Sequence, residues 1–88
     1  MKKKISILGA TGSIGVSALS IIDKKKFYFN IILLSSNKNF TLICKQIKKY
    51  KPKYYVVNDL KIYNKVKKKF KKSKVKIINA FNFKKKKN

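Results

Sequence analysis

Gly9, Gly12 and Gly15 set a GxxGxxG spacing, with Thr11 and Ser13 between them, directly after an apolar run and directly before a stretch of helical period. The chemistry such a turn can do is to hold phosphate. Gly9 permits a tight exit from a strand, Gly12 lets backbone approach a pyrophosphate, and Gly15 lets a helix pack close to the sheet. The free amides at the start of that helix and the positive end of its dipole face the same point and favour an anion. The Thr11 and Ser13 hydroxyls can add hydrogen bonds to phosphate oxygens. The spacing is a variant of the dinucleotide fingerprint, and strand before with helix after is the context that fingerprint needs.

The other chemistry-bearing residues are few. The chain has no histidine and two acids, Asp23 and Asp59, which do not make a metal cluster or an acid–base pair. No catalytic residue and no metal ligand is assigned. Cys44 stands alone on the apolar side of a helical stretch, where it reads as a small buried hydrophobe and not a nucleophile. Tyr54 and Tyr55 could stack bases, but neighbours on a strand point to opposite faces and cannot share one platform. Residues 65–72 (KVKKKFKK) could grip phosphates, yet beside Val66 and Phe70 they read as a solvated helix face.

The elements that must position the turn follow from period and punctuation. Lys4 to Leu8 is a short β-branched run ended by Gly9, which suits a buried central strand. Ser13 to Asp23 is a helix with Ser13 as its cap and Ile14, Ala18, Ile21 and Ile22 as its apolar face. Tyr28 to Leu34 is a second strand, followed by a polar loop, Ser35 to Asn39. Asn39 can cap a second helix whose face is Phe40, Ile43, Cys44 and Ile47 and which runs to about Tyr50. Pro52 breaks it and leads into a third strand, Tyr54 to Val57. Asn58 or Asp59 starts a third helix with Tyr63, Val66 and Phe70 on one face, and Lys74 to Ile78 is a fourth strand. Strands alternating with helices imply βαβ units. The fold class is α/β, a Rossmann-like parallel sheet, incomplete, with about four strands and three helices. Residues 1–80 are expected to form this partial domain, and 81–88 a disordered lysine-rich tail.

The loop after the second strand decides between cofactors. An NAD site places an acid there to bind the ribose 2′-hydroxyl, whereas an NADP site avoids that charge and supplies donors or a cation. Ser35, Ser36, Asn37, Lys38 and Asn39 contain no acid, and Lys38 supplies charge, so NADPH is favoured.

Composition bounds the rest. Eighty-eight residues allow one small domain. All 25 basic residues are lysine, for a formal net charge of +23, so non-specific polyanion binding is expected. The absence of arginine argues against a dedicated reader of bases. One cysteine and no secretory leader imply a reducing, cytoplasmic setting. No apolar run is long enough to span a membrane.

The residues ILGATGSIG at 7–15, ALSIID at 18–23, NKNF at 37–40 and QIKKYKPKYYVV at 46–57 resemble the 1-deoxy-D-xylulose 5-phosphate reductoisomerase family. That resemblance covers roughly the first sixty residues. It implies an NADPH-dependent oxidoreductase and isomerase of isoprenoid synthesis by the non-mevalonate route, making 2-C-methyl-D-erythritol 4-phosphate by rearrangement and reduction. It implies that Thr11, Gly12, Ser13 and Ile14 touch the pyrophosphate side of NADPH and that Asn37, Lys38 and Asn39 lie at the 2′-phosphate. The family commonly has glycine where this chain has Asn37, and asparagine tolerates the left-handed backbone such a glycine would take. The family also uses a divalent metal, Mg or Mn, held by acids of a central domain that these residues do not include. The chain is therefore expected to be the NADPH-binding part of an enzyme, a fragment, a frameshifted product or a relic, inactive alone and partnered by the missing remainder. The alternative is a small lysine-rich nucleic-acid-binding protein.

Overall fold

Strands separated by helical crossovers return in the same direction and must pair in parallel. The computed structural model describes residues 2–79 and shows that pairing. The order is β1 (Lys3–Ile7), α1 (Ser13–Lys24), a 3₁₀ turn (Lys26–Tyr28), β2 (Phe29–Ser36), α2 (Phe40–Tyr50), β3 (Tyr54–Val57), α3 (Leu60–Lys69) and β4 (Lys76–Ile78). The four strands pair in parallel, as the Rossmann-like reading expects, in the order β1-β2-β3-β4; β1, expected over Lys4 to Leu8 as a buried central strand, instead runs Lys3–Ile7 along an edge of the described sheet with no fully buried residue. The tail expected at 81–88 lies outside the described residues.

Every crossover steps the same way along this sheet, and right-handed crossovers that do so stack their helices on one face. Leu19 of α1, Ile43 and Ile47 of α2, and Tyr63 and Val66 of α3 accordingly join Leu34, Tyr55 and Val57 in one buried cluster. Register assigns the faces. Leu34, Tyr55 and Ile77 form a row on the helix side, while Leu33, Tyr54 and Lys76 form the next row on the opposite side. Tyr55 is fully buried and Tyr54 half-buried, as opposite faces require. Among the described residues no helix covers the second face.

A β-bulge sets the side on which β2 ends. Ile5 pairs with Ile31 but Ser6 pairs with Leu33, which leaves Ile32 as an extra residue. The extra residue reverses the alternation, so that Leu34 and Ser36, rather than Leu33 and Ser35, follow Ile31 onto the helix side.

Several expectations need correction. Ser35 and Ser36 are the buried end of β2, not part of an exposed loop. The 3₁₀ turn occupies Tyr28, which was expected to open β2, and β4 begins at Lys76 and not Lys74. Ser13 is the first helical residue, and Gly12 is the N-cap, with no side-chain hydrogen bond. The buried face of α1 is Gly15 and Leu19, flanked by half-buried Ala18 and Ile22, whereas Ile14 and Ile21 are 85% and 60% exposed. By contrast, Asn39 caps α2 through Leu42 N at 3.2 Å, and Asp59 caps α3 through Ile62 N at 3.0 Å.

Helix α2 ends on Lys51, whose φ of 45° is left-handed, just before buried Pro52. Glycine takes that conformation without the Cβ crowding that lysine suffers. Lys51→Gly is therefore expected to stabilise the fold by about 0.5–1 kcal/mol, read as a higher urea midpoint with unchanged slope.

Candidate phosphate-binding site

The glycine turn leaves the C-terminal end of β1. Gly9 takes φ +69°, a left-handed value that bends the chain back, and Gly12 N donates to Gly9 O at 3.0 Å to close the turn. Gly15 then lies against this backbone: a methyl built on it would run into the Gly9 carbonyl oxygen and stand 2.7 Å from Ala10 Cα. Only a residue without a side chain lets α1 start this close to the strand end. Gly12 differs, because a Cβ there would meet only Gly9 O, at 3.4 Å. The amides of Ser13, Ile14 and Gly15 precede the first intrahelical bond, Val16 N to Gly12 O at 2.9 Å, and no side chain caps them. They are donors available to an anion.

The second loop, 37–39, leaves the neighbouring strand at the same edge of the sheet. Ala10 N donates to Ser35 O at 2.7 Å, tying the glycine turn to the end of β2. Asn58 N donates to Ser36 O at 2.9 Å and Asp59 N to Asn37 O at 3.1 Å, tying that end to β3. Asn37, Lys38 and Asn39 are exposed, as are Gly12, Ser13 and Ile14, while Thr11 is half-buried. The topology thus brings both sets of expected residues to one sheet edge. The serine hydroxyls do not join them, because Ser35 and Ser36 are buried in the strand. Asn37 does not use its tolerance of left-handed backbone either: among the described non-glycine residues only Lys51 has a positive φ.

Behind the turn lies a buried polar chain that the sequence reading passed over. Gln46 Nε2 donates to Ala10 O at 2.8 Å, Tyr55 OH donates to Gln46 Oε1 at 2.6 Å, and Ser36 Oγ lies 3.1 Å from Tyr55 OH. Tyr55 gives its single proton to Gln46, so Ser36 is the donor of the last bond. The legible signal was Gln46 itself, three residues after Ile43 and beside Ile47 on the packing face, where an uncharged polar group needs partners.

The remaining polar groups are structural. Burial pushes the Cys44 thiol up, against the lowering effect of Lys69 and Lys48, which is the reverse of an activated nucleophile. Asp23 pairs with Lys49 at 3.4 Å and Asp59 caps α3, so both acids are engaged elsewhere than the turn. A cavity of about 920 Å³, lined in part by Ile47, Lys51, Pro52, Phe70 and Val75, opens at the other end of the sheet and does not touch the turn.

Known proteins match this chain in sequence and in fold. The family model described as 1-deoxy-D-xylulose 5-phosphate reductoisomerase matches residues 5–85. The chain belongs to this family. The reductoisomerase of Buchnera aphidicola subsp. Acyrthosiphon pisum (strain APS) is 45% identical over 73 residues, 83% of this chain and 18% of that protein. The reductoisomerase of Elusimicrobium minutum is 46% identical over 65 residues, 74% of this chain and 16% of that one. Among solved structures, the Zymomonas mobilis reductoisomerase in complex with NADPH superposes with a TM-score of 0.83 at 30% identity, over 90% of this chain and 21% of that one. The chain thus spans about a fifth of the length of the reductoisomerases it matches.

Two measurements test this geometry. Gly15→Ala is expected to cost more than about 3 kcal/mol through backbone overlap, whereas Gly12→Ala costs less than about 1 kcal/mol, both read by thermal or urea unfolding. Burial pushes the Tyr55 hydroxyl up from 10.0 to about 12. The folded chain holds the proton that the unfolded chain releases, so this contribution is full below pH 10 and lost by about pH 12. Tyr55→Phe is expected to lack that loss, and the difference between the two unfolding profiles removes the shared lysine titration.

Proposed function

We propose that this chain binds NADPH, as the nucleotide-binding part of a 1-deoxy-D-xylulose 5-phosphate reductoisomerase, with the diphosphate on the glycine turn and the 2′-phosphate on the loop after β2. The observation that carries this reading is the uncapped start of α1 at one sheet edge with an acid-free second loop. In it, Thr11, Gly12, Ser13 and Ile14 line the diphosphate, with the amides of Thr11, Ser13 and Ile14 as its donors beside the positive end of the helix dipole, while Gly12 N stays on Gly9 O and Gly12 offers only its lack of a side chain. Lys38 supplies a cation to the 2′-phosphate, and Asn37 and Asn39 supply amide donors. Asn39 Oδ1 is already taken by Leu42 N, so Asn39 acts through Nδ2.

NADPH supplies a hydride when bound, and the protein groups described here bind and orient the nucleotide. They do not fit a divalent metal: among the described residues no three histidine, cysteine or acidic side chains lie together. We therefore assign these residues nucleotide binding, with the rearrangement and reduction of the sugar phosphate belonging to the whole enzyme. The free thiol of Cys44 suits a reducing, cytoplasmic setting. No helix of the described residues is long and apolar enough to cross a membrane. The lysine-rich surface adds non-specific attraction to polyanions, including nucleic acid, and the family membership favours the nucleotide reading over a dedicated nucleic-acid binder.

Parallel titrations with NADPH, NADH and duplex DNA at low and high salt test this reading. NADPH is expected to bind at least about tenfold more tightly than NADH at both salts, while DNA binding falls steeply with salt. Lys38→Ala should weaken NADPH by about tenfold and leave NADH within about twofold. Equal affinity for the two nucleotides would overturn the proposal.

A further inference from the structure

The glycine turn contains one residue, Ala10, whose two flanking peptides are each held by a hydrogen bond. Ala10 is fully buried; its N–H donates to Ser35 O at 2.7 Å and its carbonyl accepts from Gln46 Nε2 at 2.8 Å. The peptide that follows is trans, since the described chain has no cis bond, and in a planar trans peptide the carbonyl and the next N–H point in opposite directions. Gln46 draws the Ala10 carbonyl toward α2. The Thr11 N–H must then point away from α2, and among the described residues it meets no acceptor.

We infer that Gln46 is a positioning residue for nucleotide binding: by holding the Ala10 carbonyl it aims the Thr11 amide at the diphosphate. This rests on the proposed NADPH reading. Two features make glutamine suited to the task. The Ala10 carbonyl can only accept, so its partner must be a donor, and Tyr55 OH occupies Oε1 at 2.6 Å, which leaves Nε2 as the atom facing Ala10. Ser36, placed on this side of β2 by the bulge, completes the chain at 3.1 Å and fixes the Tyr55 hydroxyl. Gln46 is 4% exposed, so water does not replace it when it is removed. An unheld Ala10 peptide can rotate and withdraw the Thr11 donor from the anion. None of the relay's hydrogen bonds is made to residues 37–39, so it acts first on the diphosphate and not on the 2′-phosphate.

The test uses the full chain, with Gln46→Met as a near-isosteric variant and Tyr55→Phe as a second that removes one hydroxyl. NADPH and 2′-AMP are titrated into each, and the Thr11 amide is followed by ¹⁵N–¹H correlation spectra. The expected result is that Gln46→Met binds NADPH about tenfold more weakly and loses the NADPH-dependent shift of the Thr11 amide, with 2′-AMP affinity within about twofold of the unaltered chain. Tyr55→Phe should shift both readouts the same way, with about a threefold loss for NADPH, and it decides the matter if Gln46→Met does not fold. A folded variant with unaltered NADPH affinity and an unaltered Thr11 shift would overturn the inference, as would equal losses for NADPH and 2′-AMP. If the unaltered chain binds no NADPH, the nucleotide reading itself fails, which is a distinct outcome.

Discussion

The rest of this structure depends on how closely helix α1 is allowed to approach the end of strand β1. That approach exists because Gly15 presents no side chain to the Gly9 carbonyl and Ala10 backbone. It places the open amides of the first helical turn directly over a strand end, the arrangement in which helix dipole and free donors add at one point. The chain contains three glycines and all stand in this turn. Elsewhere it does without them: Lys51 adopts a left-handed backbone, and Asn39 and Asp59 provide the helix caps.

Close approach alone does not fix the turn, and the second layer of control is polar. Backbone bonds run from the turn to β2 and from the end of β2 to β3, so the loops at three strand ends are laced into one rim. Beneath them, Gln46, Tyr55 and Ser36 join α2, β3 and β2 to the turn without leaving any buried side-chain polar atom unpartnered among the described residues. A satisfied hydrogen bond of this kind contributes about 0.5–1.5 kcal/mol net, but stranding one of its buried members costs about 1–3 kcal/mol. The rim is therefore stiff against partial loss.

Alternation of period made the fold legible from sequence: the four strands and three helices of the described residues, two of the caps and the burial of Cys44 follow from local pattern. What misled the reading of α1 was its apolar residues. Ile14 and Ile21 looked like a packing face, but the first turn of this helix packs through Gly15, so its larger neighbours are turned outward. Ser35 and Ser36 looked like loop because serine is a poor strand former, whereas the sheet buries them through pairing with Val56 and Val57. The bulge at Ile32 was beyond reach, since a run of apolar residues carries no mark of where an extra one sits. The two loops of the site were legible as separate motifs, and their meeting at one edge followed from parallel order. The Gln46 relay was not, because its donors and acceptors are far apart in the chain.

Stacking the three described helices on one side of the sheet has a colloidal consequence. Leu33, Tyr54, Val56 and Ile78 share the side that no described helix covers, half-buried and largely apolar, on a body of formal charge +23. In dilute buffer the lysines keep neighbouring molecules apart. Added electrolyte shortens the reach of that repulsion to about 10 Å at 0.1 M while strengthening apolar attraction when the anion is sulfate or phosphate. The ions that relieve internal crowding of charge thus also let these surfaces meet, and the protein's useful range of ionic strength is bounded from both ends.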